Sequence, residues 1–197
     1  MNIVKRKIIL LIKHPSLILL ILLAGILHNG CFNVVQNRDF INDGTQNKYE
    51  LSTYYSLDST VNSFNCDTVI TLERSGCLGK CPVFKLALLS NSSVYFGGRH
   101  HVKKVGIFDT IFNKNDLTEL VSDFHTSGFF RLREIYNLTN CVGPTDLSSL
   151  VISVKTTDTT KTVSFYIGCM DYTREARLMT GLASRIEEIS NVKSWIR

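Results

Sequence analysis

The sequence predicts an α+β domain: a single antiparallel sheet of about five to six strands, laid out as a meander plus a hairpin, with two helices packed on one face. Three observations predict it. From about Asp67 to Phe112, short runs alternate apolar and polar residues, too close together for crossover helices. The period then turns helical twice, near Asp116 and near Asp171. Between those two stretches the alternation returns as one more hairpin.

An export-like leader comes first. Residues 1–31 hold four basic side chains, Lys5, Arg6, Lys7 and Lys13, and no Asp or Glu. The twelve residues "SLILLILLAGIL", Ser16 to Leu27, are uncharged and largely apolar. As a helix they rise about 18 Å, short of a hydrocarbon core of about 30 Å. Extending the run backwards encloses Lys13-His14-Pro15, and proline interrupts the helical ladder. A basic start, an apolar run of this length and a small-residue exit describe an export signal. Its end, "LHNGC", resembles a bacterial lipoprotein signal, in which a small residue, here Gly30, precedes the cysteine that takes the lipid, here Cys31. The resemblance is partial, because His28 and Asn29 stand where such signals carry a large aliphatic and a small residue. Lipidation at Cys31, an uncleaved membrane anchor and ordinary secretion stay open. All three put the remainder outside the cytoplasm, and the expected location is the bacterial cell envelope, anchored on its non-cytoplasmic side.

The leader also explains the charge. The whole chain is +5, but four of its 22 Lys/Arg lie in the leader, leaving 18 against 17 Asp/Glu. A nearly neutral exported part gives no electrostatic basis for binding nucleic acid. The local patch "GRHHVKK", Gly98 to Lys104, reads as a solvated strand edge, where lysines oppose edge-to-edge aggregation.

Residues 32–65 have the composition of a polar tether, rich in Asn, Ser, Thr and Asp without a sustained period. Within them "YELSTYY" is aromatic enough for part of the tether to pack onto the domain that follows. That domain is expected to span residues 66–197, large enough for one core. "TVITLER" sets Ile70 and Leu72 on one face; "VFKLALLS" aligns Phe84, Leu86 and Leu88; "SVYFGG" offers Val94 and Phe96. "SNSS" between the last two is turn chemistry, so they form a hairpin. "HVKKVGIFDTIF" is a weaker strand or strand pair. "DLTELVSDFHTSG" spaces Leu117, Leu120, Val121 and Phe124 as a helix, with Asp116 and Glu119 as a capping box and Gly128 as its stop. The aromatics of "FFRL" belong to the core. Leu150, Ile152 and Val154 face Val163, Phe165 and Ile167 across "TDTT". The last helix, "DYTREARLMTGLASRIEEIS", buries Leu178, Leu182, Ile186 and Ile189, with Asp171 or Thr173 as its cap.

Six cysteines complete the inventory: Cys31, Cys66, Cys77, Cys81, Cys141 and Cys169. Outside the cytoplasm, paired thiols default to disulfides. Cys141 precedes the second hairpin and Cys169 ends it, so the two meet if the loop folds back. Closing about thirty residues is worth roughly 3.5 kcal/mol, and the small Cys77–Cys81 ring roughly 2 kcal/mol. With Cys31 lipidated, five thiols remain and Cys66 is the candidate for the unpaired one. With Cys31 free, three bridges are possible.

The stretch "RSGCLGKCPVF" admits two readings. Its Cys-x-x-x-Cys-Pro spacing resembles the copper chaperones of cytochrome oxidase assembly, which hold copper with both thiolates and a distant histidine. That resemblance implies Cys77, Cys81 and His100 or His101 as soft and imidazole donors for copper. In those proteins the motif lies between a strand and a helix, whereas here "VFKLALLS" reads as a strand. The other reading is structural: Gly76 and Gly79 permit positive φ, Pro82 fixes φ at the strand entrance, and a disulfide clamps the turn. More broadly, "ITLERSGCLGKCPVFKLALLSNSSVYFGG", "LVSDFHTSGFFRL" and "GPTDL" resemble an uncharacterised bacterial family of small exported domains. A Gly-Cys-x-Gly-x-Cys-Pro-aromatic motif marks that family, matched by Gly76, Cys77, Gly79, Cys81 and Pro82, but departed from at its end, where Val83 follows the proline and the aromatic, Phe84, comes one place late. Asp146 stands where the family also carries an aspartate. The resemblance implies the fold and export, and supplies no reaction.

Other candidates are weaker. Asp146 could act as a base or ligand, but a loop aspartate more often caps local backbone. His125 lies at the border of the first helix's buried face. No nucleophile elbow, phosphate loop or His-Glu-x-x-His occurs, and the carboxylates are scattered. The expected function is therefore a membrane-tethered, non-enzymatic interaction or binding module stapled by disulfides, without a cofactor and with an envelope protein as its partner. The alternative is a thiol-based copper or redox protein using Cys77 and Cys81.

Overall fold

The computed structural model describes residues 69–197. The leader 1–31, the tether 32–65 and Cys66 lie outside the described residues. Seven strands, β1 (Val69–Arg74), β2 (Val83–Leu89), β3 (Ser93–His100), β4 (Gly106–Ile111), β5 (Ile135–Tyr136), β6 (Ser149–Lys155) and β7 (Thr160–Tyr166), form one sheet in the order β4-β3-β2-β1-β6-β7-β5. Among the described residues the helices are α1 (Lys114–Ser127), α2 (Thr173–Ile189) and the short α3 (Lys193–Ile196), with 3-10 turns at Phe129–Arg131 and Met170–Tyr172.

The first four strands are the expected meander. The β6–β7 hairpin then adds antiparallel to β1, which makes the first strand of the domain a central one. Two expectations need correction. The sheet has seven strands rather than five or six, and it is mixed, because β5 pairs parallel to β7 through Ile135↔Ser164 and Tyr136↔Phe165. The β5 strand is two residues long, too short to leave an alternating pattern in the sequence.

Register explains the core. Ile70 lies opposite Leu88 and Val154, Leu72 opposite Leu86 and Ile152, Leu86 opposite Phe96, and Leu150 opposite Phe165. Cross-strand partners share a face, so every one of these fully buried side chains points the same way. Leu117, Leu120 and Phe124 of α1 and Met179, Leu182, Ala183 and Ile186 of α2 belong to the same buried cluster.

Helix ends depart from the capping expectations. Asn113, not Asp116, caps α1: its side chain accepts a hydrogen bond from the Asn115 N–H at 3.1 Å. The helix thus starts earlier and leaves Asp116 in the first turn, where a carboxylate suits the helix dipole. Gly128 does end it, at φ 88. Thr173 is the first residue of α2 and makes no cap, while Asp171 turns away to accept from the Val142 N–H at 2.8 Å. Met179 takes the deep position expected of Leu178, which is only partly buried.

Candidate functional site

One end of the sheet gathers nearly all the chemistry singled out from sequence. Register places the end of β1 beside the beginnings of β2 and β6 (Arg74 opposite Phe84 and Leu150) and sets the beginning of β6 against the end of β7 (Ser149 opposite Tyr166). The loops at residues 75–82, 137–148 and 167–172 therefore leave the sheet together. Cys77 is bonded to Cys81, and Cys141 to Cys169, with Cα separations of 5.7 and 5.3 Å. Among the described residues no cysteine is free.

Hydrogen bonds weld the three loops into one surface. The Ser75 N–H donates to the Ser149 carbonyl at 3.0 Å, and the Ser149 N–H to the Ser75 hydroxyl at 2.7 Å. The Leu78 N–H reaches the carbonyl of Asp146 at 3.2 Å, so the motif loop rests on the aspartate loop through backbone. Met170 N–H donates to the Val142 carbonyl at 2.9 Å. Tyr166 does the most at this end: its hydroxyl donates to the Pro144 carbonyl at 2.6 Å and accepts from the Leu147 N–H at 2.9 Å. Close backbone approach requires glycine at 143, where a Cβ would stand 1.7 Å from the Gly168 carbonyl oxygen.

The Asp146 side chain is exposed, and the Thr145 hydroxyl donates to its Oδ1 at 3.1 Å. His125 is exposed on α1, its ring 4.6 Å from that of Phe130. His100 lies opposite Val83, two residues from Cys81, and both it and His101 are exposed. Joined to each other, the sulfurs of Cys77 and Cys81 offer no thiolate, and among the described residues no group of three or more His, Cys, Asp or Glu could hold a metal ion. The Gly79 N–H points at the Cys77 sulfur, 3.2 Å away.

The surface of this end is apolar where it projects furthest. Leu78 is 85% exposed, Val142 71%, Met170 67% and Leu147 43%. Sequence reasoning named the cysteines and Asp146 but missed these four, and it missed Tyr166. Glycines beside the cysteines carried the available signal: Gly143 follows Cys141 by two residues and Gly168 precedes Cys169, which marks backbones about to touch.

The family model of a domain of unknown function, DUF6438, matches residues 68–189. The chain belongs to the DUF6438 family. The match takes in all seven strands, both long helices and both disulfides of the described DUF6438 domain. No curated protein matches the chain. Among the described residues, no helix is long and apolar enough to cross a membrane.

Proposed function

We propose that this DUF6438 domain is a non-enzymatic interaction module, held at the envelope membrane through its N-terminus, whose stapled loops meet a protein partner. One observation carries the reading: Leu78, Val142, Leu147 and Met170 project from loops that two disulfides and Tyr166 hold in place. Apolar side chains on rigid backbone lose little freedom on binding, and Lys80, Asp146 and Asp171, all exposed, supply the polar rim of such an interface. In this reading both long helices cover the sheet face that carries Ile70 and Leu72, and the loop end stays clear. Cys31 is the lipid attachment point and residues 32–65 the spacer.

The test is photo-crosslinking in the full chain within its native cells. A benzophenone side chain at Leu78 or Met170 is expected to give one discrete adduct that Leu147→Asp abolishes, with none from Asp158 in the remote β6–β7 turn. Equal adducts from Asp158, or none from the stapled end, would overturn the interaction surface. Cys31→Ser is expected to abolish incorporation of labelled fatty acid; unchanged labelling would remove the lipidation reading alone.

A second reading is supported by the Gly79 N–H on the Cys77 sulfur, which would stabilise a thiolate, and by His100 lying close in register. Reduced Cys77 and Cys81 with His100 or His101 would then bind copper. Alkylation of both cysteines in the folded, unreduced protein, with protection by Cu(I), is the outcome this reading requires. Resistance to alkylation until reductant is added rejects it.

A further inference from the structure

The sheet has a second face, and part of it is buried without belonging to the core. Ala87 and Leu89 are 0% exposed and Val69 is 9% exposed, yet all three lie outside the cluster that the helices join. Register unites them: Val69 lies opposite Leu89, and Ala87 lies between Thr71 on one side and Tyr95 on the other. Alternation along β2 turns Ala87 and Leu89 away from Phe84, Leu86 and Leu88. They form a small apolar patch at the end of the sheet opposite the stapled loops. The same patch is where the chain enters the sheet, because Val69 is the first residue of β1.

We infer that the segment from Tyr49 to Val61, "YELSTYYSLDSTV", docks on this second face over Val69, Ala87 and Leu89. A sheet face that is exposed to water does not leave a leucine with no accessible surface, so this patch has a cover. Position chooses the occupant. The segment ends eight residues before Val69, a reach of up to about 25 Å, whereas Tyr95 is two strands from β1, about 10 Å away. Composition agrees: Tyr49, Leu51, Tyr54, Tyr55, Leu57 and Val61 interrupt a region otherwise rich in Asn, Ser, Thr and Asp. Tyrosines suit a face that mixes Ala87 and Leu89 with Thr71, giving large apolar area and a hydroxyl for polar neighbours. The raised pKa of Tyr95, from burial first and from Asp109 second, fits a covered site on the same face. The free spacer then shortens to the residues before Tyr49, and the folded unit extends upstream of β1. The inference is independent of any partner at the stapled loops.

Two measurements on the full chain test it. Hydrogen exchange of the unmodified protein is expected to show amides between 49 and 61 slowed about 100-fold or more relative to an unstructured peptide. Exchange at the unstructured rate overturns the inference. A benzophenone side chain at Tyr54 or Tyr55 is expected to crosslink within the same chain, to peptides containing Ala87, Leu89 or Tyr95. Crosslinks to a second copy, to another protein or to other parts of the same chain overturn it, because each gives the patch or the segment a different neighbour. Ala87→Glu is expected to abolish the protection at 49–61 while the emission of Trp195 stays unchanged. If that variant fails to fold, the exchange of the unmodified chain still decides.

Discussion

Arg74 and Glu187 offer the sharpest quantitative test of this fold. Arg74 continues the inward series Ile70, Leu72, so its side chain enters the core face, opposite Phe84 and Leu150. There its Nε donates to Glu187 Oε1 at 2.8 Å and its Nη2 lies 2.8 Å from the same oxygen, tying β1 to α2. The side chains are 17% and 4% exposed. Removing one member of a buried pair typically costs about 3–5 kcal/mol, since the other charge is left stranded. The Arg74 edge reaches some water, so Glu187→Ala belongs at the low end, about 3 kcal/mol. For a domain of this size that lowers the melting temperature by roughly 10 °C. Arg74→Ala strands the deeper partner and is expected to cost more, about 4 kcal/mol. Replacing both by apolar side chains, Arg74→Met with Glu187→Leu, is expected to stay within about 1 kcal/mol of the unmodified protein. Urea unfolding with disulfides intact, followed through the single tryptophan, Trp195, reads all four proteins. A double variant as unstable as the sum of the single ones would refute the reasoning, because the losses would then come from packing and not from a stranded charge.

Other outcomes follow from the same geometry. Loss of Cys141–Cys169, which spans 28 residues, is expected to cost about 3.5 kcal/mol, against about 2 kcal/mol for Cys77–Cys81, which spans four; urea midpoints check the order. Under graded reductant, alkylation and peptide mapping should find Cys77–Cys81 opened first, because Cys169 is only 2% exposed. Gly143→Ala forces the loop off Gly168 and is expected to cost about 2 kcal/mol, with faster amide exchange at Met170. Tyr95 ionises above the usual tyrosine value of 10.0, owing to burial first and Asp109 second. Its folded pKa is raised, so its contribution to stability is complete below the unfolded value and disappears as pH climbs through the folded one. Alkaline unfolding should therefore steepen above about pH 10, and Tyr95→Phe should remove that component together with the latest step in the ultraviolet tyrosine titration.

The strands were legible because half-buried sheets write their faces at period two; Ile70, Leu72, Phe84, Leu86, Leu88, Leu150, Ile152 and Val154 all lie where alternation put them. The cysteine pairs were legible because hairpin geometry returns Cys169 to Cys141 and a glycine-rich turn returns Cys81 to Cys77. What failed was what depends on partners distant in sequence. Strand β5 exists only because β7 pairs with it. Helix α3 is four residues long, and its Trp195 is placed by rings it touches, Phe96 at 5.7 Å and Phe108 at 5.9 Å, with the Lys104 ammonium 4.0 Å from its centroid. The meeting of the Cys77 loop with the Asp146 loop is a backbone contact that no side-chain pattern announces. Arg74 was in principle visible: a charge on the apolar side of a strand demands an opposite charge on whatever covers it, and Glu187 beside Ile186 supplies it.

The place of β1 in the sheet carries a mechanical consequence. A load that reaches Val69 along the polypeptide is taken up by a strand with six paired residues on each flank. Antiparallel hydrogen bonds run across the strands, so a pull along β1 shears both ladders at once and cannot peel them one bond at a time. Rupture then waits on a concerted event, whose rate is that of forced unfolding rather than of fraying at an edge. A domain hung from an edge strand such as β4 would unzip under the same tension. Entry through the middle of the sheet makes β1 a strong point for a pulling force to act on.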